Sequence, residues 1–114
     1  MSAQLPIDFD AARARRDAGM ASSLDHAESD TPGWGDHAFA LLRQFACLQH
    51  KPWTCEQFRS WAYDRSLPKP AEERAFGPVT QRAIRAGLIH RVGYAPAASS
   101  NGSPKPQYQS RIAA

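Results

Sequence analysis

The chain has 114 residues, of which 42% are hydrophobic and 22% charged, with a formal net charge of +3. This length accommodates one domain, because a unit of about 100 residues already builds a core of normal size. The apolar runs are only a few residues long, whereas a helix that crosses a bilayer needs about 20 consecutive apolar residues, so the composition excludes a membrane-spanning class of protein.

The start of the chain and its cysteines both indicate a cytoplasmic protein. Residues 1–10 contain no basic residue, and Asp8 and Asp10 stand where a secretory signal would be apolar. Cys47 and Cys55 have a spacing that matches neither a CxxC metal or redox site nor a disulfide-rich framework. We therefore expect two reduced thiols and cytoplasmic localisation.

Charge is unevenly distributed along the chain. Residues 1–36 hold seven acidic residues and three arginines, a net charge of −4, whereas residues 37–114 hold eleven lysines and arginines and four acidic residues, a net charge of +7. A basic excess of this size attracts a polyanion, because each neutralised phosphate releases condensed counterions. The alternative is a basic surface that only keeps the protein in solution.

Residues 1–33 form an acidic leader that ends in the turn-forming run Thr31-Pro32-Gly33. A weakly apolar helix is predicted over Phe9 to Glu28. Such a helix is marginal in water by itself. We expect it to pack either on the following domain or on a second copy of the chain, as in a homodimer.

Three helices are predicted in the domain, residues 34–111, which a tail at 112–114 follows. The first begins at Asp36 as N-cap and ends near His50, ahead of Pro52. Its apolar face recurs at steps of three and four: Ala38, Leu41, Leu42, Phe45 and Leu48.

The second helix begins at a capping box, Thr54-Cys55-Glu56-Gln57, in which the side chains at N-cap and N3 bond each other's backbone N–H groups. Phe58, Trp61 and Ala62 form its apolar stripe. The prolines in the run at 66–70 end it, because proline disfavours helical geometry in the preceding residue.

The third helix is predicted from Glu73 to Ala86, with Gly87 in the left-handed C′ position. Pro78 fits only in a first turn, so the regular helix should be shorter than this pattern. At 100° per residue, one side of the helix is apolar and the other is polar and basic. The apolar side holds Phe76, Val79, Ala83 and Ala86, and the polar side holds Pro78, Gln81, Arg82 and Arg85.

A strand over 88–94, a turn over 98–104 and a returning strand over 107–111 follow the third helix. The Asn-Gly pair in the turn is a strong hairpin signal. The order helix, helix, helix, strand, loop, strand predicts a mainly α fold with a small β-hairpin: a winged helix-turn-helix preceded by an N-terminal helical leader.

In a helix-turn-helix, the second helix of the pair enters the major groove of double-stranded DNA. Gln81 and Arg85 suit bidentate contacts with adenine and guanine, and Arg74 and Arg82 flank them as phosphate contacts. The hairpin adds four candidates: Arg91, Asn101, Lys105 and Arg111. The alternatives are that the helix face is merely solvated and that the Gly-Ser loop is disordered.

Several segments resemble a group of small, mostly uncharacterised phage and prophage proteins with winged-helix character. They are residues 74–89, Gly93-Tyr94-Ala95-Pro96, residues 102–106, Asp17-Ala18-Gly19-Met20 and Asp25-His26-Ala27-Glu28. The resemblance implies a mobile-element setting and a role in replication or transcription control. Gln107-Tyr108 departs from the tryptophan-containing return strand that the group leads us to expect, which leaves the contacts of the wing open.

Catalysis is not expected. The four histidines are dispersed and no two have the i, i+4 spacing of a helical zinc pair, and no nucleophile, phosphate-loop or dinucleotide motif occurs. We therefore predict neither an enzyme nor a metal or cofactor site.

A protein-interaction module that binds a host or phage protein is the rival hypothesis. It rests on Trp34, Trp53 and Trp61, which are more aromatic mass than a small core needs, and an exposed Trp53 would favour it. A further hypothesis is that the acidic leader covers the basic face of its own domain and lowers DNA affinity until it is displaced.

Overall fold

A computed structural model of the chain describes residues 9–96 and 104–114. Over these residues the fold is mainly helical with a three-stranded antiparallel sheet, as the sequence predicted at that level of detail. In chain order the elements are α1 (Phe9–Asp30), α2 (Trp34–Leu48), β1 (Trp53–Thr54), α3 (Cys55–Asp64), a 3₁₀ helix (Glu73–Ala75), α4 (Phe76–Arg85), β2 (Ile89–Pro96) and β3 (Pro104–Ser110). None of these helices is long and apolar enough to cross a membrane.

Helix α2 begins at Trp34, so the prediction of Asp36 as its N-cap is wrong. Gly33 precedes the helix with φ 82°, in the left-handed region that suits glycine. The Glu28 carboxylate accepts the N–H groups of Gly33, at 2.8 Å, and Gly35, at 3.1 Å. The Glu28 side chain of α1 thus accepts backbone N–H groups at the start of α2. Asp36 does not cap the helix and forms an ion pair with Arg82.

The apolar face of α2 lies in the core as predicted, except at its end. Ala38, Leu41, Leu42 and Phe45 are buried, whereas Leu48 is 58% exposed. Leu48 is the last residue of the helix, and the backbone turns to an extended conformation at Gln49, so the side chain lies past the edge of the core.

The capping box of α3 is confirmed. The Gln57 N–H donates to Thr54 Oγ1 at 3.4 Å, and the Thr54 N–H donates to Gln57 Oε1 at 2.8 Å. Trp53 and Thr54 also form β1, which the sequence analysis did not predict, because two residues are too short to show an alternating pattern.

Helix α4 is shorter than the sequence pattern, as Pro78 required. Glu73–Ala75 form a 3₁₀ turn, the α-helix starts at Phe76, and Gly87 has the expected positive φ of 77°. Of the predicted apolar side, Phe76, Val79 and Ala83 are buried. The prediction for Ala86 is wrong, since it caps the helix and is exposed, while Thr80 is buried with its hydroxyl donating to the Phe76 carbonyl at 3.0 Å.

The sheet has the strand order β1-β3-β2, with both pairs antiparallel. The ends of the predicted strands differ from the observed ones by one to three residues: β2 extends to Pro96 and β3 runs from Pro104 to Ser110, so Arg111 lies just beyond it. The register shifts between Arg91 and Gly93, where Val92 forms a bulge. Tyr108 faces Trp53 on one side and Arg91 on the other, so these three residues cross the sheet in one row.

Aromatic side chains hold the helices and the sheet together. Trp34 and Trp53 are 1% and 2% exposed, and each indole N–H is bonded, to the Pro68 carbonyl at 2.7 Å and to Ser110 Oγ at 3.1 Å. Phe76 of α4 packs edge-on against Trp34, with ring centroids 5.0 Å apart. This burial places α4 firmly on the core through one face and leaves its opposite face outside.

The leader helix α1 packs on the domain through its second half. Ala27 is buried, the Met20 side chain lies directly against Gly77 of α4, and the Ser23 hydroxyl donates to Glu72 at 2.8 Å. Residues 12–18 are exposed to solvent. The sequence left two partners open for this helix, the following domain and a second copy of the chain. The structure shows that it contacts the domain.

Candidate nucleic-acid interface

The outward face of α4 carries Gln81 and Arg85, both exposed. Neither side chain forms an ion pair with another described residue. Since Phe76, Val79 and Ala83 fix the inner face of the helix in the core, Gln81 and Arg85 are held one turn apart on its exposed side. This is the arrangement that a major-groove contact requires.

Arg82, predicted to contact phosphate, binds the neighbouring helix α2. Its Nη1 lies 2.9 Å from Asp36 Oδ1, and its guanidinium lies over the Phe39 ring at 3.9 Å from the centroid. The Arg82 side chain is still 49% exposed. These contacts give Arg82 a role in tying α4 to α2.

Arg74 lies away from the other candidates. It stands in the 3₁₀ helix, and its guanidinium packs directly against Gly19 of α1. The groove that it lines is formed with Ser22, Ser23 and His26 of the leader and contains no residue of β2 or β3. The structure therefore does not bring Arg74 together with Gln81 or Arg91.

A cleft of about 330 Å³ lies between α1, α3, α4 and the sheet. We call it the arginine cleft, because arginines from three elements line it: Arg16 of α1, Arg59 of α3 and Arg91 of β2. Gln81 of α4 lies on the same cleft. The cleft therefore joins the outward face of α4 to the hairpin, and it brings together Gln81 and Arg91 of the predicted site.

The charges in the arginine cleft do not cancel. Among the described residues its one acidic member, Glu73, lies 3.1 Å from Arg59 Nε and accepts the Tyr63 hydroxyl at 2.8 Å. Arg16 and Arg91 form no ion pair with any carboxylate in the described part of the chain. Two positive charges, one from α1 and one from β2, thus remain available to an anion.

The floor of the cleft is poorly solvated. Burial raises the pKa of the Cys55 thiol, although Arg59 acts in the opposite direction, and burial likewise raises the pKa of the Tyr108 hydroxyl against the effect of Arg91. Both groups are therefore protonated and neutral at neutral pH. Cys55 has the character of a packing thiol, since the nucleophilic form of cysteine is the thiolate.

The remaining hairpin candidates lie apart from one another. Lys105 is exposed on β3 opposite Ala95, near the loop, and lines a second groove with Glu56 and Arg59. Arg111 lies past the other end of β3, where its Nε donates to His90 Nδ1 at 3.2 Å. Asn101 lies outside the described residues.

Sequence reasoning missed Arg16 and Arg59 as members of the site. A signal for Arg16 was present: it precedes Met20 by one helical turn, so the two share a face of α1. Arg59 gave no such signal, because its position depends on how α3 packs against α4.

Among residues 9–96 and 104–114, no three His, Cys, Asp or Glu side chains lie close enough together to hold a metal ion. Comparison of the chain with protein-family models, with curated proteins and with solved structures gave no match.

Proposed function

We propose that this protein binds double-stranded DNA as a winged helix-turn-helix, with α4 in the major groove and the β2–β3 hairpin beside it. The order α2, β1, α3, α4, β2, β3 and the sheet order β1-β3-β2 support this fold. The α3–α4 pair shares one core, in which the rings of Phe58 and Phe76 lie 5.9 Å apart.

The observation that carries the proposal is the free polar face of α4 beside a basic strand. Gln81 and Arg85 are exposed without ion pairs in the described part of the chain, and Arg91 of β2 lies on the same cleft as Gln81. An amide and a guanidinium suit base edges, and a neighbouring guanidinium suits the backbone phosphate. The net charge of +7 over residues 37–114 supports the same ligand.

Fluorescence-anisotropy titration of a random-sequence duplex across a salt series tests the proposal. We expect binding that weakens steeply with salt, and a shallower, weaker response for Gln81→Ala/Arg85→Ala. Arg43→Ala is the matched control, since Arg43 is exposed on α2, away from the proposed surface. A folded protein that binds no duplex at about 50 mM salt would rule the proposal out, because non-specific binding is strongest at low salt.

The rival hypothesis of an interaction module rests on three tryptophans. Trp34 and Trp53 are core residues with bonded indole N–H groups, so they offer no docking surface, whereas Trp61 is partly exposed, with the Arg65 guanidinium over its ring. A role in the replication or transcription of a mobile element stays a prediction from the sequence.

A further inference from the structure

The two halves of the leader helix α1 differ in charge and in what they contact. Residues 21–30 carry three acidic residues and no basic one. This half contacts the start of α2, where Leu24 and Glu28 pack against Gly35 and Glu28 accepts backbone N–H groups. Glu28 thus lies at a helix N-terminus, which favours negative charge, whereas Asp25 and Asp30 are exposed to solvent.

The first half of α1 is basic and reaches the arginine cleft. Residues 9–20 carry three arginines and two acidic residues. Met20 packs directly on Gly77 of α4 and so fixes the helix at this point, and Arg16, one turn earlier, lines the cleft. The leader therefore adds a positive charge beside Gln81, where the masking hypothesis requires an acidic one.

We propose that the leader is part of the DNA-binding surface, and that Arg16 and Arg91 together hold a phosphate of the DNA backbone at the arginine cleft. This inference rests on the proposed function. The two guanidiniums come from two different elements, α1 and β2, and the one carboxylate that lines the cleft among the described residues already has Arg59 and the Tyr63 hydroxyl as partners. A guanidinium binds phosphate oxygens through paired N–H groups.

The size and position of the cleft agree with this assignment. Its volume of about 330 Å³ lies at the lower end of the range for small-ligand sites, so it admits a phosphate with its sugar and not a duplex. Gln81 lies on the cleft and Arg85 follows it by one turn on α4. A strand whose phosphate lies at the cleft would thus pass beside the helix that reads its bases.

A matched pair of arginines tests the inference in the full chain. Arg15 and Arg16 are adjacent on α1, and their side chains point about 100° apart around the helix; Arg15 is exposed and does not line the cleft. Anisotropy titrations with a duplex are expected to show about three- to tenfold weaker binding for Arg16→Ala, with the salt slope reduced by about 0.9, the value of one phosphate contact. Arg15→Ala should bind within about twofold of the natural protein, because a charge that contacts no phosphate changes the slope little.

A double-mutant cycle checks that Arg16 and Arg91 act on one phosphate. The loss in Arg16→Ala/Arg91→Ala should be smaller than the product of the two single losses, since either change alone already disrupts the shared contact. Titration with dAMP is the second arm: no binding at millimolar concentration is expected, because one phosphate group lacks the contacts that α4 makes with DNA.

The outcomes separate the inference from the proposed function. If the natural protein binds the duplex and Arg16→Ala binds as tightly or more tightly, the inference is wrong and the DNA-binding function stands. If dAMP binds and Arg16→Ala abolishes that binding while the duplex is not bound, both are wrong, and the cleft is a nucleotide site.

Discussion

The contacts of Arg82 show what a helical projection does not reveal about one side chain. The projection places it on the polar side of α4, and the structure does keep it half-exposed. A helical projection contains no information about neighbouring helices. Asp36 and Phe39 lie on α2, and their contact with Arg82 depends on how α2 and α4 pack.

We expect Arg82→Ala to lower stability more than it lowers DNA binding. It removes an exposed ion pair, worth about 0–1 kcal/mol, and a cation–π contact, worth about 0.5–1 kcal/mol. The free energy of unfolding in urea should therefore fall by about 1 kcal/mol. Arg85→Ala is the control, because Arg85 has no ion pair with a described residue, and its unfolding free energy should change by less than about 0.5 kcal/mol. Equal losses of stability in the two variants would contradict this division of roles.

At the scale of single residues, the sequence predicts those features that depend on near neighbours in the chain. The capping box at Thr54 and the left-handed Gly87 are of this kind. Asp36 was predicted as an N-cap by the same reasoning and is not one. The difference is that Glu28, from another helix, supplies the acceptor at that end of α2, which a local pattern cannot reveal.

Glu28 supplies the polar part of the contact between α1 and α2. Its carboxylate accepts N–H groups of Gly33 and Gly35 at 2.8 and 3.1 Å, and these bonds to an ionised group are stronger than neutral ones. Ala27 is the apolar residue of α1 that is buried in the core. One carboxylate thus both caps α2 and holds the leader in place.

We expect Glu28→Ala to lower the free energy of unfolding by about 1–2 kcal/mol, the usual effect of losing a cap with charge-assisted bonds. Amide hydrogen exchange should also become faster in α1, because the helix loses an anchor. Asp25→Ala serves as the control: Asp25 is an exposed acidic residue on the same half of α1, and its removal should leave the exchange of α1 unchanged. Slow exchange in α1 of the Glu28 variant would show that other contacts hold the leader.

Elements were predicted where the chain repeats a pattern over several residues. Helices α2, α3 and α4 each have such a pattern, and the regions of β2 and β3 were identified with their ends displaced by a few residues. Strand β1 was missed because it consists of Trp53 and Thr54, which are defined by pairing with Tyr108 and Gln107 near the other end of the chain. Pairings between distant segments are the part of this fold that periodicity does not show.

The candidate site shows the same limit across the whole molecule. The sequence predicted the outward face of α4 at Gln81 and Arg85 and the basic strand at Arg91. It did not predict that Arg16 of the leader lies on the same cleft, because net charge described the leader as acidic throughout. Counting charges by halves separates a basic from an acidic part of α1, but only the path of α1 across α4 shows that Arg16 reaches the cleft.

The position of the leader can be fixed covalently, which decides whether it contributes to DNA binding or masks the surface. A Cβ placed on Gly77 would lie 3.5 Å from the Met20 Cβ, at the short end of the range for disulfides. We expect Met20→Cys/Gly77→Cys, with Cys47 and Cys55 replaced by serine, to form this bond on oxidation. By closing a loop of roughly 60 residues, the bond should stabilise the oxidised protein by up to about 4 kcal/mol relative to its reduced form.

With the leader fixed on α4, the oxidised protein should bind a duplex as tightly as the reduced protein, or more tightly, because Arg16 then stays at the arginine cleft. The masking hypothesis requires the opposite: the oxidised form should bind at least about tenfold more weakly, and a reducing agent should restore affinity, as expected when a ligand has to displace a competing conformation. The reduced form of the variant is the control for the oxidised form, since the two titrations differ only in the disulfide bond. Weak binding that dithiothreitol reverses would therefore show that the helix has to leave α4 before DNA can approach Gln81 and Arg85.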